Sequence, residues 1–73
     1  MKNGKGFDGK MFKKERIAIG LTLEGFADAL KKNGLKRSTK ALVWNWENGN
    51  NPRADHLHAL CKIMGVEMSH YMK

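Results

Sequence analysis

The chain carries apolar residues at helical spacing in four stretches, which are separated by turns rich in glycine. The first stretch begins at Phe7 and Asp8, where Asp8 can cap a helix and Phe7 can pack on Phe12 as a hydrophobic staple. We expect Ile17 and Ile19 to add apolar surface to this helix, which runs to about Ile19 before Gly20 stops it.

The second predicted helix opens at Leu21-Thr22 and ends at Asn33-Gly34. Thr22 is the expected N-cap, and glycine after asparagine is typical of a helix end. The apolar stripe that would face the core consists of Leu23, Phe26, Ala27 and Leu30. A basic turn follows, and it finishes in Ser38 and Thr39, whose two hydroxyls can cap the next helix.

The third helix is predicted over Lys40–Glu47, with Val43 and Trp46 facing inward, and the fourth from about Ala54 to Met64. One face of the fourth helix carries Leu57, Leu60, Cys61 and Met64. A short last turn is expected over Glu67–Met72. No stretch alternates apolar and polar residues convincingly, so we predict no strands.

The expected fold class is therefore all-α, a compact domain of four to five helices over residues 7–73. Residues 1–6 contain two glycines and two lysines and are predicted to form a flexible arm. A chain of 73 residues makes one domain at most. It contains no internal repeat.

Charge narrows the range of functions. The chain has 14 Lys and Arg against 7 Asp and Glu, a net charge of +7. A domain with a pI above about 9 has the electrostatic footprint of a nucleic-acid binder. Two alternatives remain open on charge alone: lysines that only keep the protein soluble, and binding to acidic lipid.

Other features favour a cytoplasmic protein without cofactor or metal. Cys61 is the lone cysteine, so no internal disulfide can form. No apolar run approaches the roughly 20 residues that span a bilayer, and the N-terminal residues lack the apolar region of a signal peptide, so we expect neither feature. His56 and His58 would diverge by roughly 200° on a helix, which disfavours a shared metal. No catalytic signature is found, and we expect no enzyme.

Four ordered stretches resemble the phage-repressor family of helix-turn-helix domains (Cro/repressor, or XRE-like). They are Gly20-Leu21-Thr22 with Phe26-Ala27 and Leu30, Thr39 through Val43 to Trp46-Glu47-Asn48-Gly49, Asn51-Pro52-Arg53-Ala54-Asp55, and Leu57-x-x-Leu60-x-x-x-Met64-Gly65-Val66 with Tyr71-Met72. The last two look most like the N-terminal DNA-binding domains of lambdoid phage repressors. The resemblance covers about Phe7 to Met72 and implies a lambda-repressor-like fold.

The resemblance implies that the third helix enters the major groove and reads bases through Lys40, Ala41 and Asn45, with Trp44 beside them. Trp44 could instead serve packing or a dimer contact. Glu47 would make an internal polar contact. Phosphate contacts are expected from Lys36, Arg37 and the Asn48–Asn51 loop, which includes Asn48 and Asn50, and from Arg53 near the fourth helix. Thr39 completes the predicted DNA-binding set.

Two departures from the family pattern are visible. Leu23 stands where the family usually has a glutamine that meets a phosphate. The segment from Leu30 to Glu47 is about six residues longer than the common pattern, and the additional residues are strongly basic. We expect them to lengthen the second helix, the following turn or both, and to add contacts to the DNA backbone.

The leading hypothesis is a transcriptional repressor or regulator of phage or mobile-element type. It would bind double-stranded DNA at a palindromic operator as a homodimer, with half-sites about one helical turn apart. Dimerisation would use the last turn, through Met68, Tyr71 and Met72, or a further domain. The alternatives are a helical protein-interaction module of antitoxin or anti-repressor type, and nonspecific binding of nucleic acid.

Overall fold

The computed structural model describes residues 6–72, which form four α-helices and no strand. The helices are α1 (Gly9–Ala18), α2 (Leu23–Lys32), α3 (Lys40–Glu47) and α4 (Ala54–Met64). The all-α prediction is confirmed, and the bounds predicted for α3 and α4 are those of the structure. Residues 1–5 of the predicted arm, and residue 73, lie outside the described part. Within residues 6–72, no helix is long and apolar enough to cross a membrane.

Local capping chemistry explains where the helices begin. The Asp8 carboxylate accepts a hydrogen bond from the backbone N–H of Met11 at 3.1 Å. The hydroxyl oxygens of Thr22 and Thr39 do the same for the third residue after each of them, at 2.9 and 3.2 Å. Each bond satisfies a backbone donor that the first turn leaves without a helical partner. The N-caps predicted at Asp8, Thr22 and Thr39 are confirmed.

Phe12 stands at the centre of the core and contacts four other rings. Its ring centroid lies 5.6 Å from Phe7, 5.0 Å from Phe26, 6.3 Å from Trp46 and 5.6 Å from Tyr71. The predicted staple between Phe7 and Phe12 is thus confirmed. The remaining buried hydrophobic residues are Ala27, Leu30, Val43, Ala59, Leu60 and Cys61. They come from α2, α3 and α4, and they form one cluster with the five aromatic rings.

The prediction that Ile17 and Ile19 add to the apolar face of α1 is wrong. Ile17 and Ile19 are each 56% exposed, because Gly9, Phe12 and Arg16 occupy the buried face of α1. Ile17 follows Arg16 and is turned about 100° away from it, and Ile19 is already the C-cap.

The expectation that Ser38 caps α3 is also wrong. Its side chain is buried, and its hydroxyl has no hydrogen-bond partner among the described residues. Thr39 alone caps the helix.

The last turn is hydrogen-bonded to the N-cap of α1 and to a side chain of that helix. The backbone N–H of Asp8 donates to the carbonyl of Tyr71 at 2.6 Å, and the Tyr71 hydroxyl donates to the Glu15 carboxylate at 2.8 Å. Tyr71 is fully buried, which contradicts its predicted role as a dimer contact. Met68 and Met72, at 42% and 43% exposure, remain accessible.

The basic segment between Leu30 and α3 is shared between a helix and a turn. Lys31 and Lys32 form the last residues of α2, and Gly34 then adopts a positive φ of 95° that ends the helix. Lys36 and Arg37 lie in the turn that leads to α3 and are exposed. Both the helix and the turn therefore contain basic residues of this segment.

Gly9 allows the backbones of α1 and α3 to touch. A Cβ atom at this position would collide with the carbonyl oxygen of Trp46 and lie 2.9 Å from the Cα of Glu47. Because both obstacles are backbone atoms of a helix, neither can turn aside as a side chain would. The glycine thus fixes how closely the start of α1 approaches the end of α3.

We expect Gly9→Ala to lower the melting temperature. Alanine inside a helix gains about 0.5–1 kcal/mol over glycine, whereas overpacking a rigid contact costs about 1–3 kcal/mol, so the collision outweighs the gain. The matched control is Lys10→Ala, an exposed position one residue further on. Thermal unfolding followed by circular dichroism measures both. A Gly9→Ala protein as stable as the control would contradict the tight packing.

The stability that the last turn gains from its contacts with Glu15 should depend on pH. Its pKa is lowered by the hydrogen bond from Tyr71 and then by the contact with His70, whose Nε2 lies 3.1 Å from the carboxylate. A lowered pKa means that this stability is present above the ordinary carboxyl range and is lost as pH falls through the folded-state pKa.

We therefore expect Glu15→Gln to be less stable than the wild type at pH 7, with the difference shrinking toward pH 3. The reason is that the wild-type carboxyl becomes protonated and loses its advantage over the amide. Melting temperatures measured across this range test the prediction. Glu67→Gln, which changes an exposed carboxylate of the same turn, is the control and should show no such convergence.

Candidate nucleic-acid interface

Helix α3 is anchored by two large side chains and presents its opposite face to solvent. Val43 and Trp46 are 0% and 2% exposed, as predicted, and fix the helix to the core. Trp44 is 53% exposed although it is one of the largest apolar side chains in the chain. The rest of the accessible face consists of Lys40, Ala41 and Asn45.

All ten predicted site residues are accessible. Nine are exposed and Asn45 is half-buried. Four of them share the outer face of α3, while Lys36 and Arg37 precede it and Asn48, Asn50 and Arg53 follow it. The structure therefore brings the predicted residues together around one helix. Thr39 is accessible as well, although its hydroxyl oxygen already accepts the capping bond of α3.

The end of α3 partly engages one predicted contact residue. The Asn48 amide donates to the carbonyl of Trp44 at 2.8 Å. This bond satisfies one of the carbonyls that the last turn leaves without a helical donor. The side-chain oxygen of Asn48 and its second amide hydrogen stay available for a ligand.

A shallow groove of about 370 Å³ runs along one side of α3, and the residues that line it come from α3, the following loop and the start of α4. They are Leu42, Asn45, Trp46, Asn50, Asn51, Arg53 and His56. Asn51 has a structural role there, because its side-chain oxygen accepts the backbone N–H of Phe7 at 2.9 Å. The groove is therefore lined by both polar and apolar side chains along one side of α3, and Asn51 ties the N-terminal end to the loop.

Asp55 and His56, at the start of α4 beside this groove, are hydrogen-bonded to each other. Asp55 accepts the backbone N–H of His56, and this bond is the main reason why the pKa of its carboxylate is lowered. Cys61 is buried in the core, and burial raises the pKa of its thiol. Among residues 6–72, no three His, Cys, Asp or Glu side chains are grouped as a metal site would require.

The one acidic residue of α3 is neutralised inside the protein. Glu47 accepts from Arg16 Nε at 2.6 Å and from Nη2 at 3.4 Å, and the two side chains are 3% and 7% exposed. Arg16 Nη1 also donates to the carbonyl of Leu21 at 2.6 Å. The internal polar contact predicted for Glu47 is confirmed, since its carboxylate faces α1 and not the solvent.

Sequence reasoning missed Arg16, the partner of Glu47. A signal was present, because Arg16 lies four residues after Phe12 and therefore on the same helix face. A cation placed in a buried stripe requires an anionic partner from elsewhere in the fold.

The accessible charge around α3 is of one sign. Between Gly34 and Arg53 the cations are Lys36, Arg37, Lys40 and Arg53, and the one acid is Glu47. Because Arg16 compensates that carboxylate internally, the outer surface of this segment is cationic. Such a surface attracts a polyanion and repels basic surfaces.

Comparisons with protein-family models, with curated proteins and with solved structures give no match to this chain. The family resemblance stays a prediction from the sequence. What the site can do chemically follows from its own residues: hydrogen-bond donors and acceptors on the exposed face of a short helix, an exposed indole, and a cationic surround.

We expect loss of either member of the buried ion pair to destabilise the fold strongly. Removing one partner of such a pair costs about 3–5 kcal/mol, because the other charge is left buried without compensation. Arg16→Met and Glu47→Leu should each lower the free energy of unfolding by about that amount. The double variant should be more stable than either single one, which denaturant unfolding of all four proteins measures. Additive losses would mean that the two side chains are not coupled.

Proposed function

We propose that this protein binds double-stranded DNA sequence-specifically through α2 and α3, as a helix-turn-helix transcriptional repressor or regulator of phage or mobile-element type. The observation that carries the proposal is the two-sidedness of α3. One face is anchored by Val43 and Trp46, and the other presents Lys40, Trp44 and Asn45 in a cationic surround.

The exposed side chains of α3 suit base edges in the major groove, which is wide enough to admit a helix. A lysine donates to guanine O6 and N7, and an asparagine pairs with adenine N6 and N7. Ala41 and the Trp44 indole offer apolar surface for a thymine methyl group. An exposed indole on a solvated surface has a hydration cost that such a contact would remove.

The residues on either side of α3 suit the phosphate backbone. We call the exposed face of α3, formed by Lys40, Ala41, Trp44 and Asn45, the reading face. Cations and amide donors flank it at both ends, because Lys36 and Arg37 lie before the helix and Asn50 and Arg53 lie after it. Phosphate contacts of this kind position a protein on the duplex and make its affinity depend on salt, but do not read sequence.

The further parts of the proposal follow from the family resemblance. A lambda-repressor-like arrangement of the four helices and a homodimer on a palindromic operator belong to it, and a cytoplasmic location would suit that function. Since Tyr71 is part of the core, the last turn can offer Met68 and Met72 to a second copy.

Selection of bound sites from random duplexes tests the proposal directly. A specific binder should prefer the selected site over random DNA by roughly 10³ or more, with a steep dependence on salt. Equal affinity for all duplexes would replace specific by nonspecific binding. Absence of binding even at low salt would favour a protein-interaction module.

Two substitutions separate reading from positioning. We expect Asn45→Ala to relax the base preference at one position of the selected site, because it removes a bidentate base contact worth about 1–3 kcal/mol. Lys36→Ala should weaken binding to all duplexes alike and lower the salt dependence by about one ion. Affinity measured against single-base variants of the site decides. A uniform loss from both substitutions would show that Asn45 does not read a base.

A further inference from the structure

We infer that Lys13 on α1 contacts a phosphate of the bound duplex and so extends the interface to a second helix outside the predicted site. The inference rests on the proposed DNA binding. It arises from the close packing of α1 on the end of α3, which places part of the surface of α1 beside the reading face.

The side of α1 that faces α3 is known from two contacts. Gly9 abuts the backbone of Trp46 and Glu47, and Arg16 bonds to the Glu47 carboxylate. These residues are seven apart, two helical turns, and lie on nearly the same line along α1. That line marks the direction of α3.

Phe12 and Lys13 lie on opposite sides of this line. Phe12 points into the core, where its ring meets that of Trp46. At 100° per residue, Lys13 is turned about 40° from Gly9 and 60° from Arg16, away from Phe12. Lys13 is exposed. It therefore occupies the solvent edge of the junction between α1 and α3.

The solvent edge of α3 at the same junction belongs to the reading face. Trp44 lies three residues before Glu47, about 60° from it on the helix surface, and is the most exposed aromatic residue of the chain's described part. Lys13 is thus a cation at one border of this face. Arg53 and Asn50, in the groove on the other side of α3, mark the opposite border.

A helix in the major groove has a phosphate backbone on each side of it. The groove residues Asn50 and Arg53 suit one backbone, and Lys13 supplies a donor for the other. No ion pair formed within residues 6–72 involves Lys13, so no internal carboxylate competes for its ammonium group. Glu47, the nearest acid on α3, is held by Arg16.

The same helix provides a matched control. Lys14 is also exposed, yet it is turned about 140° from Gly9 and 160° from Arg16, so it points away from α3. Lys13→Gln and Lys14→Gln remove one charge each from neighbouring exposed positions of one helix. Because both variants lose one charge, a difference in DNA affinity between them reflects the direction in which each side chain points and not the net charge. Equal melting temperatures confirm that both variants fold.

The experiment measures the affinity of the wild type and both variants for the selected site and for random duplexes, as a function of salt. Lys13→Gln should weaken binding to both kinds of duplex by about five- to tenfold at 0.1 M salt and lower the salt slope by about one. Lys14→Gln should change affinity less than about twofold, since it loses only screened long-range attraction. Lys13→Arg should restore the wild-type values.

Equal effects of the two glutamine variants, or none from either, would overturn the inference while specific binding by the wild type upheld the proposed function. Wild-type binding without sequence preference, together with the predicted loss in Lys13→Gln, would overturn only the sequence-specific function. A wild type that binds no duplex would overturn both.

Discussion

The buried pair of Arg16 and Glu47 is the interaction on which the geometry of the candidate site depends. Burying two charges costs free energy that a single 2.6 Å contact does not recover by itself. Here the guanidinium forms bonds to both carboxylate oxygens and to the carbonyl of Leu21, so its donors are used in three directions. What the ion pair provides is a fixed geometry. It holds the end of α3 at one place on α1, and Gly9 lets the two backbones meet there.

This arrangement also separates charge. An exposed Glu47 would place a carboxylate at the end of the helix that we propose to face DNA, and it would repel phosphate. Paired with Arg16 on the inner side, it leaves the segment from Gly34 to Arg53 with accessible cations only. One interaction thus fixes the position of α3 and removes the negative charge that would oppose its proposed ligand.

The local features of this fold could be predicted because they depend on residues close in sequence. Caps such as Thr39, and the bounds of α3, follow from the chemistry of a few neighbouring side chains. Long-range features could not be predicted in the same way. The helical periodicity does not reveal that Gly9 meets a backbone 37 residues away, or that Glu47 is the acid that pairs with Arg16. For the site, the accessible residues around α3 could be named, but the border contributed by α1 requires the packing of two helices.

The family resemblance implies a phosphate-binding glutamine at position 23, where this chain has Leu23. Leu23 has no side-chain hydrogen-bond donor and is half-buried against the core, so it cannot make the phosphate contact that the family resemblance implies at that position. A DNA-binding domain that lacks this contact must obtain its register on the duplex from other donors. The cations available are in the basic turn before α3, at Arg53 after it and at Lys13 on α1. Under the proposed function and the inferred contact of Lys13, we expect the basic turn and the lysine of α1 to supply the phosphate contact that Leu23 cannot make.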